Sequence, residues 1–600
     1  MTHGTLVHWR EWGDEAFAEA KAQDKPILLG ISAVWCHWCH VMDRGIPGDP
    51  VHTGVYNDPQ IAAYINEHFI PIRVDNDQRP DINARYNMGG WPTTCFLTPD
   101  GELIYGATYL APAQMRQLLP RVVEVWHNER EDVLAHLRAN AQAIETPPPD
   151  TTALDAETVN NTVLTLITRN YDRRNGGLGG GQKFPMSDVW ALLLARYHQS
   201  GDTALLDMVV QTLIAMGTRG MYDRVAGGWF RYSTTPDWSV PHFEKMLEDH
   251  ARLLPLYARA AQCCQLAGKH AEAETLLGVV RSALEYLQST LLHDDARATY
   301  FAGSQDADEH YYMLSRVERA QHAPPFIDWR LYTDWNALMV SALLEVSVVL
   351  ERPALAELAL RVWRTLARMC VQEDGCVVHS LIPAEATFSP ATLRGLLGDQ
   401  AALAKASLDL AQHLPELRAE ALSLAERVLR FAVQHLRAPN GAFCDTPANE
   451  NSKGLLRVRI QPITDNSTIA EALLTLSFLA DAPEWREMAR QALAVFAEEY
   501  RRYREHAAAY ALAVWRAAHL PDEIAIVADS DETLARWARA AHLPYAPWRV
   551  VHLLHAERDA SHIAARGYPV QRRPVAFRCK GTTCSAPIFD PEALTASTAA

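Results

Sequence analysis

Twelve segments with apolar residues at the 3.6-residue helical period succeed one another between residues 152 and 518. They lie near 154–170, 188–199, 203–219, 241–267, 271–291 and 334–351. They continue near 353–370, 399–413, 417–436, 466–480, 482–504 and 505–518. Connections after the first, third, fifth, seventh and ninth segments are long, and those after the even ones are short. Consecutive helices in an antiparallel array point opposite ways, so alternate loops gather at one end. Residues 152–518 are thereby confined to six helical pairs whose long loops share a face, which is where function tends to sit.

Those loops hold chemistry-bearing residues. The second long connection carries Trp229, Phe230, Arg231, Tyr232 and Trp238, then delivers His242 and Glu244 to the first turn of a helix. The third carries Asp306 and Asp308 and leads to Asp334, Trp335 and Asn336; the fifth ends in Asp465 and Asn466. Aromatic faces interleaved with carboxylates and a histidine suit a sugar-like ligand, since rings cover its apolar face and acids accept from its hydroxyls. Paired carboxylates serve as general acid and base when their surroundings separate their pKa values. Arg231, Tyr232, His242, Glu244, Asp306, Asp308, Trp335 and Asn336 are the candidate ligand contacts in this half.

Each also has a structural reading. Asp334 and Asp465 look like N-caps, Glu244 like a partner for the helix dipole, and the aromatic residues like packing. Asp306 and Asp308 fit a turn cap or an incidental cation. The run Gly176-Gly177-Leu178-Gly179-Gly180-Gly181 comes after a helix and lacks a Lys-Ser/Thr ending, so it reads as a turn across the mouth of the array and not as a phosphate cradle.

The front of the chain has a different period. Lys25 to Met42, KPILLGISAVWCHWCHVM, is an apolar strand that delivers Cys36 and Cys39 to a strand-to-helix junction. There the unpaired N–H groups and the positive dipole end favour a thiolate. A free thiol titrates at about 8.5, and one at a helix N-terminus in a Cys-X-X-Cys pair at roughly 3.5–7.5. Cys36, nearer the helix start and the more exposed, is the expected attacking thiolate, and Cys39 the resolving one. Three other readings compete. Cys36-His37-Trp38-Cys39-His40 spells a c-type haem attachment pattern, which requires an exported chain. Two Cys and two His also match zinc ligands, but so short a helical run does not easily wrap four of them around a tetrahedral ion. An inert structural pair is the third.

The segments after Met42 favour dithiol chemistry. A helix near 61–67 leads to a strand at 69–75, then Gly89-Gly90-Trp91-Pro92-Thr93, a strand at 94–97 and a turn at Pro99-Asp100-Gly101. Strand, CxxC, helix, strand, X-Pro and hairpin occur in the order of a thioredoxin fold, in which a cis proline faces the dithiol and presents backbone to an extended substrate. Pro92 is the candidate, an ordinary trans turn being its alternative, with Trp35, Trp38 and Trp91 shaping the approach.

The resemblance goes beyond the fold. His8-Trp9, Trp12-Gly13, Lys25-Pro26-Ile27, Cys36 to Met42, Arg79-Pro80-Asp81 and Gly89 to Pro92 resemble the spermatogenesis-associated-protein-20-like family, whose N-terminal domain is thioredoxin-like, of the DUF255 type. So do Gly180 to Pro185, Asp223 to Gly228, Arg231 to Thr234, Val240 to Leu247, Gln305 to Asp308, Trp335-Asn336 and Asp465-Asn466. The resemblance implies a larger domain like the six-hairpin (α/α)6 barrels of sugar hydrolases and epimerases. The expected architecture is multidomain, α/β plus all-α: a thioredoxin-like domain at 1–145, an (α/α)6 barrel at 152–518 and a small C-terminal α/β domain at 521–600.

In that last domain, strands are expected at 523–528, 549–554 and 575–578 and a helix at 531–542, with Cys579 and Cys584 after them. These two cysteines read as a structural pair, with a second redox pair or an internal substrate of Cys36 as alternatives. Thr146 to Asp150 reads as an extended linker, and the tail after Leu594 as frayed.

Composition sets the remaining bounds. With 48% hydrophobic and 21% charged residues the chain is globular. A net charge of −16 without basic runs argues against nucleic acid and anionic membranes as partners. No stretch is apolar enough to span a bilayer, and Met1 to Glu11 lacks a signal-peptide pattern. Ten cysteines in 600 residues are a cytosolic density. The cytoplasm is therefore expected, with no cofactor or metal. The expected partners are a disulfide-bearing protein or small thiol for the dithiol, and a sugar-like ligand for the barrel. Three functions fit these residues: a thiol–disulfide oxidoreductase module fused to the barrel; an epimerase- or hydrolase-like enzyme regulated or covered by its front domain; or a non-enzymatic redox-sensing scaffold.

Overall fold

A computed structural model describes residues 5–46, 48–135, 154–384, 387–569, 573–581 and 583–595. The 146–150 linker, the segment after residue 135 and the last five residues of the tail lie outside the described residues. The chain divides into two compact units. One comprises Met1–Pro148 with two stretches from far along the sequence, Asp306–Glu309 and Ala448–Ile460. The other comprises Pro149–Gln305, His310–Pro447 and Gln461–Ala600.

The first unit is built on β1 (Ile27–Ser32), whose six residues are all buried. Side chains alternate along a strand. Ile27, Leu29 and Ile31 accordingly pack on one face with α1 (Asp14–Gln23) and Ile82 and Tyr86 of α4 (Pro80–Tyr86), and Leu28 on the other with Met42 of α2 (His37–Arg44). That second face also takes α3 (Pro59–His68) and α5 (Pro112–Asn128). The sheet order is β2-β1-β3-β4, where β2 is Ile70–Asp75, β3 Thr93–Leu97 and β4 Leu103–Ala107. β2 runs parallel to β1, and β3 and β4 run antiparallel to their neighbours. This is the thioredoxin-like order. The distant stretch 448–460 is fastened by Tyr86, whose hydroxyl donates to the Gly101 carbonyl at 2.6 Å and accepts from the Leu455 N–H at 2.8 Å.

In the second unit six inner helices form a closed ring, each packing on the next: Ser187–Ser200, Leu247–Leu266, Thr333–Val349, Leu397–His413, Ile463–Leu479 and Ala508–Ala518. Six outer helices, Ala156–Asn170, Thr203–Thr218, His270–Tyr286, Pro353–Met369, Arg418–His435 and Pro483–Ala494, pack against them. This is an (α/α)6 barrel, and the long connections enter the N-terminal ends of the inner helices. Two expected helices are shorter than their period indicates. The fourth begins at Leu247, because Tyr232–Ser233 pairs with Pro241–His242 and Lys245–Met246 with Ser304–Gln305. The eleventh stops at Ala494, and a 3-10 stretch, Glu499–Ala507, comes next.

The hairpins share fastening devices. Asp172 and Asp223 each open a glycine turn closed by a buried lysine: Lys183 Nζ to Asp172 at 2.9 Å, and Lys245 Nζ to Asp223 at 2.8 Å. Gly177 and Gly228 sit at φ +77° and +87°, where a Cβ would meet Trp238 at 2.6 Å and His250 at 2.7 Å. The glycine run at 176–181 thus wraps its own lysine, whose Nζ also donates to the Leu178 and Gly179 carbonyls.

Beyond the ring, Asp522–Ala528 pairs in parallel with Arg549–His555 and antiparallel with Val575–Lys580, which pairs with Thr583–Cys584. The expected helix is Asp531–His542. The strand order repeats that of the first sheet.

Candidate functional site

Cys36 is the N-cap of α2. Its Sγ accepts the Cys39 N–H at 3.2 Å, so the sulfur occupies the position of the helix's missing acceptor. Cys36 and Cys39 are joined as a disulfide. The Trp91–Pro92 peptide is cis, and Pro92 and Cys39 share the wall of a void of about 10 Å³, room for about one water. Arg73 of β2 lines the same void and makes a two-pronged ion pair with Asp43 of α2, both bonds 2.7 Å, tying the dithiol helix to the sheet.

The expected difference in exposure between the sulfurs is absent: Cys36 is 3% exposed and Cys39 2%. The disulfide turns both sulfurs inward against the helix start, so nearness to that start does not expose Cys36. Of the three tryptophans, Trp35 is buried, donating from Nε1 to Asp77 at 2.6 Å. Trp91 donates to Asn83 at 3.1 Å and meets Trp35 edge-on at 5.7 Å. Trp38 is exposed and packs edge-on against Tyr109 at 5.2 Å. Trp38 therefore borders the approach, while Trp35 and Trp91 brace the frame.

Asp306 and Asp308 belong to the compact unit of the dithiol, and His242 and Glu244 to the other. Asp306 meets His40, the residue after Cys39, at 3.2 Å from Nε2, and Asp308 is exposed. His242 and Glu244 precede the helix and do not occupy its first turn. Glu244 is buried and meets His242 Nδ1 at 2.7 Å, while Tyr232 lies stacked between His242 and Phe184, both at 4.9 Å. Trp335 is packing, 8% exposed and 4.6 Å from the Tyr332 ring. Asn336 is a backbone pin. Its Oδ1 accepts from Phe301 N and its Nδ2 donates to the Phe301 and Tyr332 carbonyls. Asn466 repeats the device with Phe443 and Pro462.

A set of groups, of which the sequence marked only Asp334 and Asp465, stands at the inner helix starts. Asp188, Glu248 with Asp249, Asp334, Asp399 and Asp465 lie in the first turns of five inner helices, where converging dipoles favour acids. Burial pushes Asp334 up to about 8, aided by Asp399 and opposed by His379. Burial also pushes Asp249 up to about 7, against the pull of Arg231, and Asp465 up to about 6, against Arg252. Buried His379 meets Asp399 at 3.0 Å, and donor atoms of Asp334, His379 and Asp399 lie within 4.8 Å of one another, a grouping able to hold a metal ion. Each acid alone looks like a dipole partner; their recurrence at successive inner-helix starts was the available signal. His379, just before the strand Ser380–Pro383, gave none. Carboxyls that hold their proton to different pH values can divide acid and base roles.

Comparisons with known proteins bear on both halves. A family described as "Thioredox_DsbH: Protein of unknown function, DUF255" matches residues 2–145. Spermatogenesis-associated protein 20 of Homo sapiens is 31% identical over 332 residues, 50% of this chain and 39% of that protein. The chain thus spans about two fifths of the length of that relative. A thiol:disulfide interchange protein, DsbD 1, of Pseudomonas aeruginosa is 34% identical over 89 residues, 15% of this chain and 14% of that protein. Among solved structures, a sugar epimerase from a ruminal bacterium is similar at a TM-score of 0.46 and 10% identity, covering 57% of this chain and 86% of that one. No described helix is long and apolar enough to cross a membrane. Residues 2–145 thus match the DUF255 family model, and the chain is similar to spermatogenesis-associated protein 20 over half of its length, a thioredoxin-like domain preceding an (α/α)6 barrel.

Proposed function

We propose that the first unit is a thiol–disulfide oxidoreductase in which Cys36 attacks and Cys39 resolves. The observation that carries this is the placement of the Cys36 sulfur as the acceptor that caps α2, 3.2 Å from the Cys39 N–H. That bond and the dipole favour the thiolate over the thiol. The reduced Cys36 thiolate attacks one sulfur of a substrate disulfide, forming a mixed disulfide and releasing a substrate thiolate. The Cys39 thiolate then attacks Cys36 Sγ, which closes the Cys36–Cys39 bond and releases the second substrate thiol. The dithiol loses two electrons and the substrate disulfide gains them. Pro92 presents backbone beside Cys39, and Trp38 borders the path. With both sulfurs this buried, the partner is a small thiol or an extended disulfide-bearing segment. The match to a thiol:disulfide interchange protein supports the same reading. The net charge of −16 supports partners other than nucleic acid or anionic membrane, and the sparse cysteines support a cytoplasmic setting. The test is reduction of a fluorescent disulfide reporter: Cys36→Ser is expected to abolish turnover, and unchanged turnover would refute the assignment.

A second reading concerns the barrel and is favoured by the carboxyls at its helix starts. Asp334, Asp249 and Asp465, held up to about 8, 7 and 6, supply groups able to donate or accept protons near neutrality beside a hydroxylated ligand. The His242–Glu244 pair, with Arg231 and Tyr232 in the same connection, extends that surface.

A further inference from the structure

The barrel encloses an axial cavity of about 370 Å³ lined by all six inner helices, from Ser187 and Thr464 in first turns to His413 and Arg516 toward last turns. Pockets for small molecules begin at roughly 300 Å³. A barrel that only had to fold would fill this space with apolar side chains at crystal-like density. Its wall instead carries charges held in ion pairs, among them Arg252 with Asp188 at 3.7 Å. Arg259 meets Glu345 at 2.6 Å, Lys405 meets Asp409 at 2.8 Å, and Arg516 pairs with Glu471. Charges taken out of water are costly unless partners and solvent remain.

Two of these cations have a structural task. Arg259 donates to the His542 and Leu543 carbonyls at 3.1 and 3.0 Å, and Arg516 to the Pro547 carbonyl at 2.8 Å. They hold the 542–548 segment of the C-terminal α/β domain as the cavity floor, to which Tyr545 contributes. Lys405 and Asp409 sit one turn apart on a single inner helix, and their side chains keep 34% and 23% of their surface, into the cavity that they line. The side chain of Glu345 keeps 43%.

Every cation on this wall stands beside its acid, so a guest with net charge would have to break a pair. A hydroxyl both donates and accepts, and it can bridge an ammonium, a carboxylate and a threonine hydroxyl without doing so. We propose that the axial cavity binds a neutral polyhydroxylated molecule of mono- to disaccharide size, held by Lys405, Asp409, Glu345 and Thr468 and stopped by Tyr545. This deepens the reading of the barrel as a site for a hydroxylated ligand and rests on it, adding the ligand's charge class, its depth and the use of the C-terminal domain as a floor.

The test titrates the full chain calorimetrically with D-glucose, cellobiose and myo-inositol, and separately with inorganic phosphate and glycine. At least one neutral polyol is expected to bind at millimolar concentration or better, with phosphate and glycine silent. Lys405→Met and Thr468→Val, checked for an unchanged Tm, should each weaken that binding about tenfold or more. Binding weakened by Asp334→Asn but untouched by both axial variants would overturn the axial site and leave the barrel reading standing. Binding of phosphate or glycine in place of the polyols, dependent on Lys405, would overturn the neutral ligand class. Silence of all three polyols would overturn both readings.

Discussion

The described residues contain two mixed sheets with one strand order and one pattern of directions, and the helix after the first strand is capped by a different atom in each. In the first, β1 leads to Cys36, whose sulfur caps the next helix by accepting the N–H three residues on. In the second, Asp522–Ala528 leads to Ser530, whose hydroxyl caps Asp531–His542 by accepting the Thr533 N–H, again three residues on, at 3.4 Å. A proline precedes the third strand in both, Pro92 before Thr93 and Pro574 before Val575. The cap geometry is shared and the chemistry is not. A thiol under a helix dipole ionises near neutral pH, and a serine hydroxyl does not. The disulfide of the second sheet, Cys579–Cys584, bridges two directly opposed residues of an edge hairpin, away from any helix start. A shared fold does not by itself imply a shared function, and the capping atom is where the two sheets differ chemically.

The comparison can be broken most severely at the first cap. Cys36→Ser makes the two caps chemically alike and should lower disulfide turnover at least a hundredfold, with helix content by circular dichroism retained because serine caps well. Wild-type turnover in that variant would mean that the cap is not the reactive group. The next effect is on stability. Arg73→Ala leaves the partly buried Asp43 without its partner and should cost about 2–3 kcal/mol in the first unit by denaturant unfolding. A loss under about 1 kcal/mol would show that the pair does not anchor α2.

The barrel mouth gives a third, pH-dependent contrast. Asp334 and Asp465 hold their protons more tightly folded than unfolded, with folded values near 8 and 6 against an ordinary 3.8. Their contribution to stability is full below the unfolded value and falls as pH rises through the folded ones. Asp334→Asn should therefore flatten the decline of Tm between pH 4 and 8; an unchanged slope would place its titration elsewhere. The smallest effect belongs to the second sheet. Cys579→Ser with Cys584→Ser opens only a short loop, so it should cost about 2 kcal/mol or less and leave reporter turnover at the wild-type rate. A fall in turnover would make that disulfide a participant.

Legibility in the sequence divides along the same line. The dithiol occupies four consecutive residues at one strand end, so a short window contains its strand, cap and helix, and Pro92 adds a second local mark. The twelve helices are legible from period and loop length because inner and outer faces impose burial on every turn. The barrel-mouth acids are spread over five helix starts between Asp188 and Asp465, and each alone is indistinguishable from a dipole partner. His379 becomes a site residue only through its contact with Asp399, twenty residues on, while its backbone bonds Thr333 and Leu393. Asp306 reads as a barrel residue because its neighbours in sequence are there, whereas the chain folds that short stretch into the unit of His40. Pro241–Met246 reads as helix by period, but cross-strand pairing with Tyr232 and Ser304 decides its conformation.

The most direct measurement is mass spectrometry of single-cysteine variants after exposure to oxidised glutathione. Cys39→Ser should accumulate one glutathione on residue 36, stable until a dithiol is added, and Cys36→Ser should leave residue 39 unmodified. Equal labelling of Cys39 in the Cys36→Ser protein, or an unlabelled Cys36 in the Cys39→Ser protein, would contradict a reactive sulfur at the cap of α2.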